Sequence, residues 1–483
     1  MVTLVTLVAF EAMAVSTAMP VAAQALGGLR EYGLAFSLFL TTSLLGVVAA
    51  GGWNDARGPR EPLAVGLLLF SGGLVVAGTA SSFGVLLVGR AVSGLGGGLQ
   101  VVTLYVVVAA VYPQRLQPQA FGVISAAWVL PSVLGPPVAG FLATQLTWRL
   151  VFLAVPPLAL LPLPVLWART RTLHDDEPDD EPDDGSDDAP DSAPQPGAGP
   201  PGPGRPDAVV PQPGAVSELG GLRRLAHGCG LALGAGLLQW GLQGGGGLPA
   251  APVVVAGLLL GAASTPGLLP RRTLRLARGL ASLVVCRAMF TGTFFGAETF
   301  VPLMLVTERG LSPTLAGVAL TTGAVGWSVG SFIQGRSSLP LSRTQLLSVG
   351  GAVVGACTLA LVSTPFAAVP VWVLPLVWAF AGTGMGLAMS STSVLTLRLS
   401  VPGEEGRNSA ALQIGDALGS VLGIGVAGAI FAARHTTDGA DAAVFALLWA
   451  VLGGTGVFSA LVARRVANAA RTPVARRTTG RSS

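Results

Sequence analysis

LPSVLGPPVAG at residues 130–140 returns as LGSVLGIGVAG at 418–428, and Ser132, Val133, Leu134, Gly135, Val138, Ala139 and Gly140 each meet the same residue 288 positions later. The same offset lays GLGGGLQ at 94–100 over GTGMGLA at 382–388, and LTT at 40–42 recurs at 320–322. A near-constant offset across separate segments reads as an internal duplication, the mark of a repeated architecture. Both copies are apolar and rich in Gly, and so is the chain around them.

That setting excludes a soluble enzyme. Of 483 residues, 51 % are hydrophobic and 11 % charged, with a mean hydropathy of +0.67, whereas an average soluble domain carries about 25 % charged residues. Every basic residue is Arg. Without Lys there is neither a Walker A loop to hold nucleotide phosphates nor a Schiff base. Three Cys cannot build a four-ligand zinc site, and His174, His227 and His435 are scattered. No cofactor, metal or nucleophile–base constellation is expected, and the chain reads as no enzyme. The net charge of +4 is spread over many loops and points to no nucleic-acid partner.

A helix needs about 20 apolar residues to cross the hydrocarbon core. Stretches 2–24, 34–51, 63–81, 83–111, 120–143, 149–167, 225–243, 249–265, 280–306, 313–334, 345–363, 370–397, 409–432 and 443–463 meet or approach that length. Fourteen spans predict an all-α membrane protein with both termini on one side. With the N-terminus cytoplasmic, 22 Arg fall in inside segments and four (Arg30, Arg149, Arg309, Arg434) outside, the asymmetry that sets topology. Ala23-Gln24-Ala25 has the form of a signal-peptide cleavage site, but no basic region precedes it and Glu11 interrupts the apolar run, so the first span is expected to stay.

Residues 1–168 form the first predicted six-helix bundle and 280–466 the second. Between them, 169–222 holds eleven acids from Asp175 to Asp191 and then Pro/Gly repeats, a composition that cannot bury a core and is expected to be a disordered cytoplasmic linker. Residues 223–279 supply two inserted spans and a basic loop, and 467–483 a basic tail. Eight helices separate the copies, so they enter the membrane in the same direction. Parallel repeats of this kind place a substrate site near the midplane at their interface and alternate access by rocking.

Between the second and third spans lies Gly51-Gly52-Trp53-Asn54-Asp55-Ala56-Arg57-Gly58-Pro59-Arg60-Glu61-Pro62-Leu63. It resembles the cytoplasmic signature of the major facilitator superfamily, with Gly51, Asp55, Gly58, Arg60 and Leu63 in place, Arg57 offset by one, and Ala56 and Pro59 where basic residues are usual. Gly89-Arg90-Ala91 in the fourth span is similar to that family's intramembrane Arg motif. Pro131 to Gly140 resembles its antiporter motif, matching at Gly135, Pro136 and Gly140. Fourteen spans with a central insertion resemble the family's drug:proton antiporter branch. The resemblance implies two parallel six-helix bundles, efflux by antiport, a gating role for the 51–60 loop, and Arg407, Asn408 and Ser409 as the equivalent end of the second half.

Three acids lie inside spans: Glu11, Glu298 and Asp416. A carboxylate for which a proton and a cationic amphiphile compete would let the proton gradient drive the substrate out. Glu11 and Glu298 differ by 287, close to the repeat offset, which suggests a pair facing each other across a cavity with Phe10, Phe294 and Phe295. Glu11 could instead partner Arg90, Glu298 could be wetted from outside, and Asp416 could sit at the positive end of its helix dipole. An Arg at a helix centre is normally paired or facing water, with snorkelling as the alternative for Arg90 and the expectation for Arg287. The expected protein is a monomeric, proton-coupled exporter of amphiphilic small molecules in a bacterial plasma membrane, in contact with its lipids. Transport of one metabolite on the same scaffold, or sensing through the acidic linker, remain the alternatives.

Overall fold

The computed structural model describes residues 2–111, 116, 123, 127–161, 218–243, 250–270, 272–336, 340–401, 404–436 and 441–470. Among these the chain is helical, with no strand: α1 (Val2–Ala25), α2 (Leu34–Arg57), α3 (Arg60–Gly78), α4 (Phe83–Val111), α5 (Val129–Gln145), α6 (Arg149–Leu153), α7 (Val155–Leu160), α8 (Glu218–Leu242) and α9 (Ala250–Leu268). Then follow α10 (Leu280–Thr307), α11 (Pro313–Gly335), α12 (Arg343–Ala360), α13 (Val373–Leu399), α14 (Glu405–Arg434) and α15 (Ala442–Ala470). Eleven of them, α1–α4 and α9–α15, are long and apolar enough to cross a membrane. Three expected spans fall short of that standard among the described residues. The stretch 120–143 is represented by the 17-residue α5. The stretch 149–167 becomes α6 and α7, with Pro156 and Pro157 opening α7 where their missing N–H groups cost no helical bond. The stretch 225–243 begins earlier, as α8, at Glu218 inside the expected linker. Residues 169–217, the tail beyond 470, Arg115 and the Asp55 side chain lie outside the described residues.

The duplication reappears as contacts. On α4, the Cβ that Gly94 and Gly98 lack would fall 2.2 Å from the Phe39 carbonyl oxygen and 2.0 Å from that of Ser43, both on α2, while Gly96 abuts Phe70 on α3. Their counterparts 288 residues on, Gly382 and Gly386, abut Gly323 and Trp327 on α11, and Gly384 abuts Gly350 on α12. Helices in lipid gain little from burying apolar surface and associate through such backbone approach.

The connections form two faces. Arg149 donates to the carbonyls of Gly78 (3.1 Å) and Ala80 (2.7 Å), tying the α5–α6 turn to the α3–α4 turn. Arg309 does the same in the second half, donating to Thr364 (3.1 Å) and Val369 (2.7 Å) in the α12–α13 connection. These turns, with α1–α2 and α14–α15, make the first face. On the second, Arg465 donates to the Leu276 carbonyl (3.1 Å) and Asn408 to the Ser400 hydroxyl (2.9 Å).

The halves meet toward the first face along two seams. At α5–α11, the absent Cβ of Gly140 would lie 2.5 Å from the Thr314 Cα and that of Gly317 2.4 Å from the Pro136 carbonyl oxygen. At α2–α14, that of Gly33 would lie 2.9 Å from the Gly428 Cα. Gly140 and Gly428 are repeat partners, so the seams are pseudo-equivalent. Between them Tyr32 donates to the Thr299 carbonyl (3.0 Å), its ring lies 5.3 Å from that of Phe300, and Phe300 lies 5.6 Å from Phe431.

Glu308 follows α10 on the first face. Burial, and then the Asp441 carboxylate, hold its carboxyl above the usual carboxylate range, against the backbone N–H groups of Asp441 and Ala442 and the Thr307 hydroxyl. A raised value means the folded state binds the proton more tightly, so stability falls as pH rises through the folded value. Glu308→Gln is expected to raise the melting temperature slightly at neutral pH, with the gain vanishing below the ordinary carboxylate range, as thermal unfolding across pH will read.

Candidate functional site

Intramembrane charge is concentrated in two clusters and one solitary acid. In the first half, α1 carries Glu11 and α4 carries Arg90, both buried. An Arg90 terminal nitrogen donates to Glu11 Oε1, and its Nε donates to the Ala35 carbonyl on α2 (2.9 Å). The guanidinium also lies over the Phe39 ring, 4.3 Å from its centre. Arg90 therefore does not snorkel. The cluster joins α1, α2 and α4 inside one half, and Glu11 is closed to solvent in this conformation.

The second cluster went unread in the sequence. Arg287 on α10 is buried at 4 % exposure instead of snorkelling. Its Nε lies 3.4 Å from Asp416 Oδ1 on α14, and its terminal nitrogens donate to Thr392 Oγ1 on α13 (3.0 Å) and Gln413 Oε1 (2.9 Å). Asp416 is thus an ion-pair partner. Unlike Glu11 it is partly exposed, its side chain at 21 %, beside an exposed Gln413. A usable signal existed: two opposite charges a few turns in from the second-face ends of helices that the alternating topology brings together.

Glu298 differs from both. It is half-buried on α10, and among the described residues its carboxylate has no hydrogen bond or ion pair. Eleven residues from Arg287, at about 100° per residue, it shares that residue's helix face about 16 Å further along. Next to it on α10, Phe294 is stacked on Trp378 (4.7 Å between centres) and meets Phe295 and Trp327 edge-on at 5.6 and 5.7 Å. Phe295 and Trp327 remain half-buried. Glu11 and Glu298 therefore occupy different surroundings: one is locked into a pair and the other is free to take a partner.

The remaining motif residues divide by place. Gly58 ends α2 at φ 70°, the left-handed region that a Gly tolerates, which turns the chain directly into α3. Beside it Arg57 pairs with Glu61 at 3.5 Å on the surface, and Asn54 donates to Thr103 on α4 (3.1 Å). Arg60 starts α3, and Gly51 faces open space. Arg407 pairs locally with Glu404 (2.7 Å). Gly135 packs on Met13 and Phe10 of α1, whereas Pro136 and Gly140 form the α5–α11 seam.

Repeated helix contacts in the two parts of the chain, buried charge in each and an acid on α10 with no partner among the described residues fit a polytopic membrane transporter. The chain belongs to the major facilitator superfamily, whose family model matches residues 1–424. It is 26 % identical over 455 residues to a protein of Mycobacterium tuberculosis named "Probable multidrug-efflux transporter", covering 90 % of this chain and 87 % of that one. An acurin A biosynthesis cluster MFS-type transporter of Aspergillus aculeatus is 30 % identical over 151 residues, which is 31 % of this chain and only 27 % of the fungal protein. The fold is similar to a peptide transporter POT solved with sulfate (TM-score 0.61, 13 % identity, covering 97 % and 94 % of the chains). It is also similar to a bacterial homolog of the human lysosomal transporter Spinster (TM-score 0.57, 16 % identity, 98 % and 97 %).

Proposed function

We propose that this transporter exports cationic or neutral amphiphiles in exchange for protons, with Glu298 as the group for which cargo and proton compete. One observation carries the reading: Glu298 is a half-buried acid with no partner among the described residues, beside the Phe294, Phe295 and Trp327 aromatic wall. Glu11 is committed to Arg90 and Asp416 to Arg287, so neither accepts a cation without losing an ion pair. Aromatic faces hold hydrophobic cations by area and by cation–π attraction, which suits amphiphiles better than sugars. The Mycobacterium tuberculosis relative, matched nearly end to end, supports efflux.

In this reading the first face is the outer one and is shut, both termini are cytoplasmic, the protein works as a monomer, and it resides in a bacterial plasma membrane. Placing the first face outside leaves most loop Arg on the inner side, as the positive-inside rule requires. Asp416 and Arg287, the partly exposed pair on the Glu298 face of α10, sense cargo through a shared helix. Glu11 and Arg90 keep α1 in register with α4. The 51–60 loop, including Asp55, steadies one access state.

Proton-driven ethidium efflux from cells or vesicles tests the reading. Glu298→Gln is expected to lower it at least about tenfold, since each factor of ten in a binding preference corresponds to about 1.4 kcal/mol, with the protein present at normal levels. A Glu298→Gln protein that moved the dye at the original rate with the original pH dependence would refute the assignment. Deleting 175–205 should leave efflux intact, in contrast to a sensor that signals through its linker.

A further inference from the structure

The two seams between the halves are equivalent in the repeat but not in the structure. Helix α8 lies in the groove between α2 and α14. On the α2 side the absent Cβ atoms of Gly228 and Gly236 would fall 2.6 Å from Val48 and 3.7 Å from Thr41. On the α14 side Gln239 donates to the Val421 carbonyl (2.8 Å), and Gly425 faces the same side chain at 3.0 Å. Leu231 and Ala232 form one apolar cluster with Leu44 of α2 and with Ile414, Ala417 and Leu418 of α14. From Gly228 to Gln243 these contacts extend over about 22 Å at 1.5 Å per residue, most of the hydrocarbon thickness.

The end of α8 reaches the point where the halves touch. The Gln243 amide is 4 % exposed and sits between Gly33 of the first half and Gly428 of the second, 3.5 and 2.8 Å from their absent Cβ atoms. Among the described residues neither of its amide atoms has a hydrogen-bond partner, nor has Gln239 Oε1. Only one of these two buried amides is anchored, and both lie on the line along which α2 and α14 would separate. The α5–α11 seam has no such cover among the described residues. Its named contacts sit in the first turns of α11, and beyond them Val318, Val325, Val329 and Phe332 are 46–67 % exposed.

We propose that α8, with α9 outside it, is a strap that holds α2 and α14 together through the access cycle, so that the halves part along the α5–α11 seam. Rocking is then hinged on one side. The opening edge is the one lined by the α11 apolar stripe, where a membrane-dissolved molecule can pass from lipid into the space between the halves. The strap does not depend on what is carried.

Spin-label distance measurements on the full chain in lipid nanodiscs test this, with Cys229, Cys286 and Cys357 replaced by Ala. One labelled pair, Leu146→Cys with Leu315→Cys, spans α5–α11; a second, Arg30→Cys with Ala433→Cys, spans α2–α14. On adding tetraphenylphosphonium or shifting between acid and alkaline pH, the first pair is expected to gain a second, longer distance while the second keeps a single one. Gln239→Leu with Gln243→Leu should add the longer distance to the second pair. A longer distance at α2–α14 in the otherwise unaltered chain overturns the strap, and so does a single unchanged distance at both seams. An α2–α14 distance that stays single in the Gln variant counts against it equally. Ethidium efflux measured on the same labelled proteins reads the export proposal by itself, so unchanged distances in a protein that still moves the dye count against the strap alone.

Discussion

Arg90→Ala is expected to leave little folded protein in the membrane. Arg90 is buried at 2 % exposure and pairs with a fully buried Glu11, whose Oε2 has no hydrogen bond among the described residues. Removing one member of such a pair strands the other as an uncompensated charge, at a cost of about 3–5 kcal/mol. The Ala35 carbonyl bond and the Phe39 contact are lost with it. Yield and melting temperature in detergent will show the loss. Arg90→Met combined with Glu11→Gln should recover most of it, because no charge is then left buried. Full stability in Arg90→Ala alone would mean that the pair does not hold α1 to α4.

Gly317→Leu is expected to abolish closure of the first face while leaving each half folded. The Cβ would lie 2.4 Å from the Pro136 carbonyl oxygen and 3.0 Å from Thr17 Cγ2. Both belong to the opposite half, and backbone cannot give way as a flexible side chain can. The collision disappears when α5 and α11 separate, so the substitution penalises one access state. A population shift of about 2.7 kcal/mol is about a hundredfold, enough to reduce turnover to background. Dye efflux should fall by that order, and the Leu146→Cys with Leu315→Cys spin-label pair should show only the longer distance. Efflux at the original rate would show that the α5–α11 contact need not form during transport.

Motif and structure agree best where a residue acts through its own backbone. Gly58 turns α2 into α3 as the loop signature implies, and Gly94 and Gly382 repeat each other's contacts as the 288-residue offset implies. Agreement ends where a side chain must choose a distant partner. The offset suggested that Glu11 and Glu298 form a facing pair, yet Glu11 turns to Arg90, 79 residues away, and Arg287, expected to snorkel, turns to Asp416, 129 residues away. The antiporter motif was legible as a kinked, closely packed stretch. That Pro136 and Gly140 press on the other half, while Gly135 packs within its own, was not.

The primary structure alone determined eleven of the membrane-length helices, the repeated Gly pattern and the family. In lipid every backbone polar group must be satisfied within its own segment, so apolar length and Gly spacing suffice to specify them. Only the tertiary structure decided which acids are paired, which has no partner among the described residues, and which seam α8 covers. A helix that is apolar all round carries no amphipathic stripe to say which side faces a neighbour. Its orientation is set by the sum of contacts with chains tens or hundreds of residues away, and those contacts exist only once the halves have packed.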